Sequence, residues 1–205
     1  MQLTSRDMNL FRWINGFGFV FTGHIAQWMG VRYQTANARV RKLKSEGLLY
    51  SEHTFCRLPH LLFLTQKAWG LTEEALPRLL RLGHLHTLNH DLRLIDLSLE
   101  LTSQHEGSQF VPERRIRYDK SGNNISHYPD GYFYLKGYEK PIAIELELTQ
   151  KKATRLQSII RNYRASFDYE AVWYFTSSSI TAKVTRLTTD DPLFRVNEIE
   201  YTPCL

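Results

Sequence analysis

The segment IAIELEL, residues 142–148, constrains the fold more than any other part of the sequence. Its strict alternation is the pattern of a β-strand that places Ile and Leu side chains on one face. The opposite face carries Ala143, Glu145 and Glu147. Two neighbouring carboxylates on a buried strand repel each other and are costly to bury without a cation. We therefore expect this strand to lie in a sheet where a cation can reach both acids.

The residues around this strand alternate between strand and helix patterns. The predicted elements of this half are a helix from about His86 to Thr102, strands at FVPERRIRY and PDGYFYLKG, the strand containing IAIELEL, a helix over 151–167, a strand at AVWYFTSSS, a short helix near 180–188 and a strand at FRVNEIEY. A turn at Gly137 joins the second and third strands. The 151–167 helix is amphipathic, with an apolar side from Ala153 to Phe167 and a strongly basic opposite side.

Asp130 starts the second of these strands, and a tight turn between antiparallel strands would bring it close to Glu145. Clustered carboxylates suit Mg²⁺ or Mn²⁺, so we expect Asp130, Glu145 and Glu147 to be metal ligands. A divalent ion there would relieve the repulsion and stabilise charge on a phosphodiester. The basic side of the next helix, with Arg155 and Arg161, would hold flanking DNA phosphates.

These residues resemble the signature of the PD-(D/E)xK nucleases, a Pro-Asp followed one strand later by Glu-x-Lys. The matching residues are Pro129-Asp130 and Glu145-Leu146-Glu147, and Glu147 stands where the family has its lysine. That lysine positions or activates the attacking water in the family. The resemblance implies that Lys151 or Lys152 takes over this catalytic role, or that the role is lost.

The first fifty residues predict a DNA-binding face. They carry seven Lys or Arg against two acids, a net charge of +5, which equals the charge of the whole chain. The net charge of the remaining 155 residues is therefore zero. A basic first segment suggests a nucleic-acid-binding face, and the alternative is a basic surface that contacts only solvent. Three helices are predicted over residues 4–49, with Thr4 or Ser5 capping the first and Thr22 the second. Gly30 and the Arg-rich third helix give the spacing of a helix-turn-helix.

Two strand-like runs, LLYSEHTF and LLFLT, follow the third helix and predict a winged helix. The outward side of the third helix offers side chains suited to base edges and phosphates, namely Gln34, Asn37, Arg41 and Lys42. Arg39 on the flank and Arg57 at the wing tip are predicted to contact phosphates. A winged helix that contacts proteins is the alternative to DNA binding.

The two halves together resemble the replication-relaxation family, which includes MobC-type plasmid mobilisation proteins. The matching pieces are His90, Pro129-Asp130-Gly131, the strand from Ile144 to Thr149 and the helix containing Tyr163. The resemblance implies recognition of double-stranded DNA at a plasmid transfer origin, together with relaxosome or coupling proteins. For some members it implies strand cleavage.

Three residues have both a functional and a structural interpretation. His90 and Glu100 are either further metal ligands or structural residues of a mixed helix face. Tyr163 is either a nucleophile or a packed core residue whose hydroxyl bonds a partner. No Ser-His-Asp or Cys-His set stands in a recognisable catalytic motif. The sequence also has no GxxxxGK[ST] phosphate-binding loop, so ATP use is not expected.

Two further features of the sequence concern the state of its cysteines and the location of the protein in the cell. Cys56 and Cys204 have no CxxC partner, so reduced structural thiols are expected. No apolar run approaches the length that spans a bilayer, and no signal peptide pattern opens the sequence, which predicts a cytoplasmic protein without membrane contact.

The sequence thus predicts an α+β protein of two domains. Residues 1–80 form a winged helix-turn-helix, and residues 81–205 form a PD-(D/E)xK restriction-endonuclease-like α/β domain. The predicted function is a Mg²⁺- or Mn²⁺-dependent DNA nicking endonuclease of plasmid mobilisation, similar to a relaxase. The alternatives are a non-catalytic relaxosome accessory factor or transcriptional regulator with a decayed nuclease domain, and a restriction or repair endonuclease. The oligomeric state is left open.

Overall fold

A computed structural model describes residues 2–53, 59–72, 77–78, 87–121, 125 and 127–201 of the chain. These residues form a mixed α+β protein with two compact units, Met1–Glu100 and Leu101–Pro203. The domain boundary predicted near residue 80 falls within residues 79–86, which are outside the described residues, as are Cys56 and Cys204. The division into 1–80 and 81–205 stays a prediction.

The first unit has three helices followed by a two-stranded antiparallel sheet and a short helix. Its elements are α1 (Ser5–Phe17), α2 (Thr22–Met29), α3 (Tyr33–Ser45), β1 (Leu49–Glu52), β2 (Leu61–Leu64) and α4 (Gln66–Gly70). An isolated antiparallel bridge between Val20 and Leu62 adds a third short piece beside β2. The long helix α5 (Leu88–Gln104) begins in this unit and ends in the second. The predicted order of three helices followed by two strands is confirmed.

The ends of the first two helices differ in how they are capped. Thr4 caps α1 as predicted, because its hydroxyl accepts from the Asp7 N–H and the Asp7 carboxylate accepts from the Thr4 N–H at 2.8 Å. The prediction that Thr22 caps α2 is wrong. Thr22 is the first helical residue, and His24 Nδ1 accepts from the N–H of Phe21, which precedes the helix, at 3.1 Å. Gly30 ends α2 with φ of 63°, a conformation that costs glycine little.

The second unit is built on one five-stranded mixed sheet. Its elements are β3 (Gln109–Pro112), α6 (Glu113–Asp119), β4 (Gly131–Tyr134), β5 (Ile142–Glu147), α7 (Ala153–Ala165), β6 (Ala171–Ser177), α8 (Ser178–Thr188) and β7 (Phe194–Ile199). The strands lie in sequence order, with β3, β4 and β5 antiparallel and with β5, β6 and β7 parallel. Helices α7 and α8 therefore each connect two parallel strands.

The prediction of one strand over FVPERRIRY is wrong in its second half. Strand β3 ends at Pro112, and α6 begins at Glu113. Proline lacks an N–H and suits the position before a first helical turn. The ion pairs Glu113–Arg117 and Arg115–Asp119 then lie one turn apart on the helix surface, a spacing that stabilises a helix and has no counterpart in a strand.

Helix α7 is shorter than the predicted 151–167 and buries one side. Leu156, Ile159, Ile160 and Tyr163 pack in the core of this unit, whereas Phe167 lies beyond the helix and is 85% exposed. All six residues of β5 are buried, so this strand is covered on both faces. Its two glutamates are therefore interior residues. Over the described ranges, no helix combines the length and the apolar character needed to cross a membrane.

Candidate functional site

Asp130 lies beside Glu145, as the predicted hairpin requires. Gly131 pairs with Ile144 in the antiparallel register of β4 and β5, which places the preceding residue opposite Glu145. Asp130 Oδ2 accepts from the backbone N–H of Leu146 at 2.7 Å, and the Asp130 carbonyl accepts from the N–H of Glu113 at 2.8 Å. The start of β4 is thus joined to both β5 and α6, and these contacts fix the position of the Asp130 carboxylate.

Glu145 is 1% exposed, and its two oxygens have different surroundings. Oε1 accepts from His127 Nε2 at 2.6 Å and from the hydroxyl of Tyr163. Oε2 is buried and has no hydrogen-bond partner among the described residues. A buried carboxylate oxygen without a donor is costly, so Oε2 is the atom at which a cation or a donor group would be stabilised.

Glu147 is 3% exposed and pairs with Lys151, whose Nζ lies 2.5 Å from its Oε1. Burial raises the pKa of Glu147 to about 7 even though Lys151 opposes the shift, and Glu145 and Asp130 raise it further. Burial would lower the pKa of Lys151, but Glu147, Glu145 and Asp130 outweigh it and raise that pKa. Lys151 therefore stays charged beside three carboxylates.

His127 and Tyr163 hold Glu145 in complementary ways. Burial would lower the pKa of His127, but its hydrogen bond to Glu145 outweighs this and raises it. Burial, reinforced by the Glu145 charge, raises the pKa of Tyr163 far above its usual range, so its hydroxyl keeps its proton and donates. This contact confirms the interpretation of Tyr163 as a packed residue with its hydroxyl on a partner. An ionised Tyr163 nucleophile is disfavoured by the same environment.

Two more polar groups adjoin the acidic cluster, by which we mean Asp130, Glu145 and Glu147. Burial raises the pKa of Glu113 despite its ion pair with Arg117, and Asp130 and Glu145 add to the shift. Tyr174 pairs with Glu145 in the register of β5 and β6, and its buried hydroxyl has no partner among the described residues.

The other residues predicted for chemistry lie outside these contacts. Lys152 is exposed immediately before α7, and Arg155 and Arg161 are exposed on that helix. In the first unit, His90 lies beside Asp91, and Glu100 pairs with Arg93 at 2.7 Å.

The side chains predicted to contact DNA from α3 differ in their exposure and in their contacts. Gln34, Arg41 and Lys42 are exposed and Asn37 is half-buried. Arg39 instead forms an ion pair with the buried carboxylate of Asp7, with Nε 2.9 Å from Oδ1, which ties α3 to the start of α1. Its phosphate contact stays a prediction, and Arg57 lies outside the described residues.

The fit of a divalent ion rests on Glu145 Oε2. Within the described ranges, no group of three or more His, Cys, Asp or Glu side chains has the arrangement of a metal site. The hard carboxylate oxygens of the cluster are nevertheless the donors that Mg²⁺ and Mn²⁺ prefer, and Oε2 is already buried without a donor. A divalent ion held by Asp130, Glu145 and Glu147 therefore stays a prediction, and Glu145 Oε2 is the oxygen at which it would bind.

Sequence reasoning missed His127 and Glu113. His127 stands three residues before Asp130, so its proximity to the strand carrying Glu145 was a usable signal. Glu113 lies near Asp130 because Pro112 pairs with Gly131, and the sequence does not predict this register of β3 with β4.

Comparisons of the chain with family models, with curated proteins and with solved structures give no match.

Proposed function

We propose that the chain is a DNA-nicking protein of the replication-relaxation type that acts in plasmid mobilisation. In this proposal the first unit is a winged helix that binds double-stranded DNA, and the second is a PD-(D/E)xK-like nuclease that cuts one strand at a transfer origin. The order of α5, β3, β4, β5, α7 and β6, with α6 inserted after β3 and with β6 parallel to β5, supports the nuclease assignment, because apart from α6 it is the order that the sequence pattern predicts.

The observation that carries the proposal is the environment of Glu145. Its unpartnered Oε2 lies in a cluster with Asp130 and Glu147, and Lys151, in the segment between β5 and α7, lies beside the same carboxylates. When bound by these carboxylates, Mg²⁺ or Mn²⁺ would neutralise phosphodiester charge and activate water. Lys151 keeps its proton, so it would stabilise the charge that develops on the phosphate and would not act as a base.

The remaining residues orient the acids. His127 and Tyr163 fix the Glu145 carboxylate by its Oε1, and the Leu146 N–H fixes Asp130. In hydrolysis, the oxygen of a water molecule bonds to phosphorus while the bond to the departing sugar oxygen breaks, and that oxygen takes up a proton. Lys151 would occupy the functional position of the lysine that Glu147 replaces.

The test is nicking of supercoiled plasmid carrying candidate transfer-origin DNA, with Mg²⁺ or Mn²⁺. Asp130→Asn and Glu145→Gln are expected to lower the nicking rate by about 100-fold or more, since each removes a carboxylate charge that supports catalysis. Glu139→Gln, an exposed glutamate in the turn after β4, is the matched control and should nick like wild type. Gel-shift binding of duplex DNA should be unchanged in all three variants.

Wild-type protein that binds the plasmid and nicks it in neither metal would contradict the nuclease proposal. Equal nicking of plasmids with and without the candidate origin would favour a restriction or repair endonuclease instead.

A non-catalytic relaxosome component or transcriptional regulator is the second candidate. It is favoured by the internal neutralisation of the acids, because His127, Tyr163 and Lys151 already contact Glu145 and Glu147. In that case Glu147 marks a lost lysine, and the same assay would give tight binding without cleavage.

A further inference from the structure

Two histidines face each other at the loop end of the hairpin formed by β1 and β2. The antiparallel register of these strands ends with Glu52 opposite Leu61. Continued by one residue, the same register places His53 directly opposite His60, and residues directly opposite each other project from the same face of a strand pair. Their ring centroids are 5.0 Å apart. The hairpin therefore brings the two imidazole rings together.

The nitrogens of these two rings are available to a ligand. Both histidines are exposed, and neither has a hydrogen-bond or ion-pair partner among the described residues. By contrast, His24, His90 and His127 each lie beside a carboxylate. Because exposed side chains adjust their rotamers at little cost, both rings can turn one nitrogen toward a common point.

The spacing of the two rings fits coordination of a single metal ion. Bonds from histidine nitrogen to the metal are about 2.0–2.1 Å long, so two imidazoles on one ion, at right-angle or tetrahedral geometry, have ring centroids roughly 4.5–5.2 Å apart. The observed separation of 5.0 Å lies within that range. Imidazole suits Zn²⁺, Ni²⁺ and Cu²⁺, whereas Mg²⁺ and Ca²⁺ prefer oxygen ligands. The pair therefore favours a different class of ion from the acidic cluster.

The charged side chains beside the pair do not decide what binds there. Glu52 precedes His53 in the chain, and Lys44 Nζ donates to the hydroxyl of Ser51, which lies on the same face of β1 as His53, at 2.7 Å. One charge of each sign thus adjoins the histidines. Selectivity for a ligand comes from the two ring nitrogens.

We propose that His53 and His60 bind one late transition-metal ion, of the class of Zn²⁺, Ni²⁺ and Cu²⁺, with water completing its coordination. The ion would link the residue that follows β1 to the residue that precedes β2, and so would hold the hairpin together at its loop end. The inference does not depend on the proposed nicking function, because it uses no residue of the acidic cluster. In the proposed winged helix, this hairpin is the wing.

Isothermal titration calorimetry of the full chain with Ni²⁺, in millimolar Mg²⁺, tests the site. The magnesium occupies oxygen sites and leaves imidazole nitrogens to the nickel. His53→Gln and His60→Gln are each expected to weaken one binding step by about tenfold or more, because two linked ligands bind far more tightly than one. The double variant should lose little more than either single variant, since the two histidines act on the same ion.

A matched control removes two other histidines. His84→Gln/His86→Gln deletes the most closely spaced histidines of the sequence and should keep the step that the His53 and His60 variants lose. Thermal unfolding gives a second readout, because an ion that binds only the folded hairpin raises the unfolding temperature. Ni²⁺ should raise it for wild type and the control by more than for either single variant. Without metal, all these proteins should unfold at the wild-type temperature if the substitutions leave folding intact.

Three results would overturn the proposal. Equal affinity of wild type and both single variants would show adventitious surface binding only. Loss of the step in Cys56→Ser, with the step kept in His53→Gln, would identify a thiol as the ligand in place of the histidine pair. A loss in the double variant equal to the product of the two single losses would show that the histidines bind separate ions.

Discussion

Glu145 and Glu147 show how a single strand can bury two acids. Each carboxylate receives donors from chain segments outside β5: His127 and Tyr163 for Glu145, and Lys151 for Glu147. These donors do not fully compensate the burial of the two carboxylates. Glu145 Oε2 has no hydrogen-bond partner among the described residues, and the pKa of Glu147 is raised. The residual cost of these acids is the physical reason to expect a ligand at this position.

The raised pKa of Glu147 predicts a measurable pH dependence of stability. Its pKa is about 7 in the folded protein against an ordinary value of 4.5, so the folded state binds the proton more tightly. The stabilisation from that proton is fully present below pH 4.5 and is lost as the pH rises through 7. Between pH 4.5 and 8 the loss is on the order of 3 kcal/mol.

Urea unfolding of wild type and Glu147→Gln at pH 5 and pH 8, in EDTA, measures this effect. The free energy of unfolding of wild type should fall relative to the variant as the pH rises, because glutamine does not titrate. The exposed control Glu139→Gln should keep a constant difference from wild type. A constant difference for Glu147→Gln as well would contradict the raised pKa.

At the scale of elements, hydrophobic periodicity predicted most helices and strands but failed where one residue changes the backbone. Thr4 and Gly30 acted as the expected helix signals, whereas Pro112 ended a strand that the apolar pattern continued. The exposed Phe167 belonged to the predicted helical stripe, but the helix ends at Ala165. Hydrophobic periodicity alone does not predict where this helix ends. The usual signal, a glycine at the C-terminal end, is absent, because Ser166 occupies the C-cap of α7.

The pairing of β3 with β4 depends on a close approach at Gly131. A Cβ at this position would lie 2.2 Å from the Cζ atom of the Phe110 ring, so Gly131→Ala forces the ring to move. We expect the substitution to destabilise the protein by about 1–3 kcal/mol, the usual cost of overpacking.

The double variant Gly131→Ala/Phe110→Ala tests that cause. It should be less destabilised than the sum of the two single variants, because the clash is absent once the ring is removed. Chemical denaturation of the four proteins gives the coupling. Additive free energies would show that the ring is not what excludes a side chain at Gly131.

For the whole molecule, charge is distributed unevenly along the chain. The first fifty residues carry the entire net charge of +5, and exposed Arg41 and Lys42 of α3 belong to that segment. Net charge predicted the DNA-binding face of the proposal but not its individual contacts. Arg39 is an example, because the sequence does not reveal that this side chain forms an ion pair with the buried Asp7.

The uneven charge predicts the salt dependence of duplex binding under the proposed function. Each phosphate contact contributes about 0.9 to the slope of log K against log salt concentration, so Arg41→Ala/Lys42→Ala should reduce the slope by about 2. Lys136→Ala, an exposed lysine of the second unit, should leave the slope unchanged. Gel shifts or anisotropy over a salt series measure it, and an unaltered slope for the double variant would place the DNA elsewhere.

The sequence predicted the three residues of the acidic cluster, and Lys151 beside them, for a topological reason. A tight hairpin brings Asp130 to Glu145 whatever surrounds it, and Lys151 follows Glu147 at a short spacing. His127 and Glu113 depend on the path of the chain before β4, which periodicity does not describe.

The acidic cluster and the side chains that contact it lie within one short part of the chain, residues 127–163, which contains β4, β5, most of α7 and the segments beside them. The contacting side chains are those of Lys151, His127 and Tyr163. Pairing within a hairpin and its adjoining helix involves short loops, so this part can form early in folding, before β7 joins the sheet. The same continuity has a genetic meaning. One short coding segment carries the whole cluster, and a single recombination can transfer it intact to another sheet of this type, just as a single deletion can erase it.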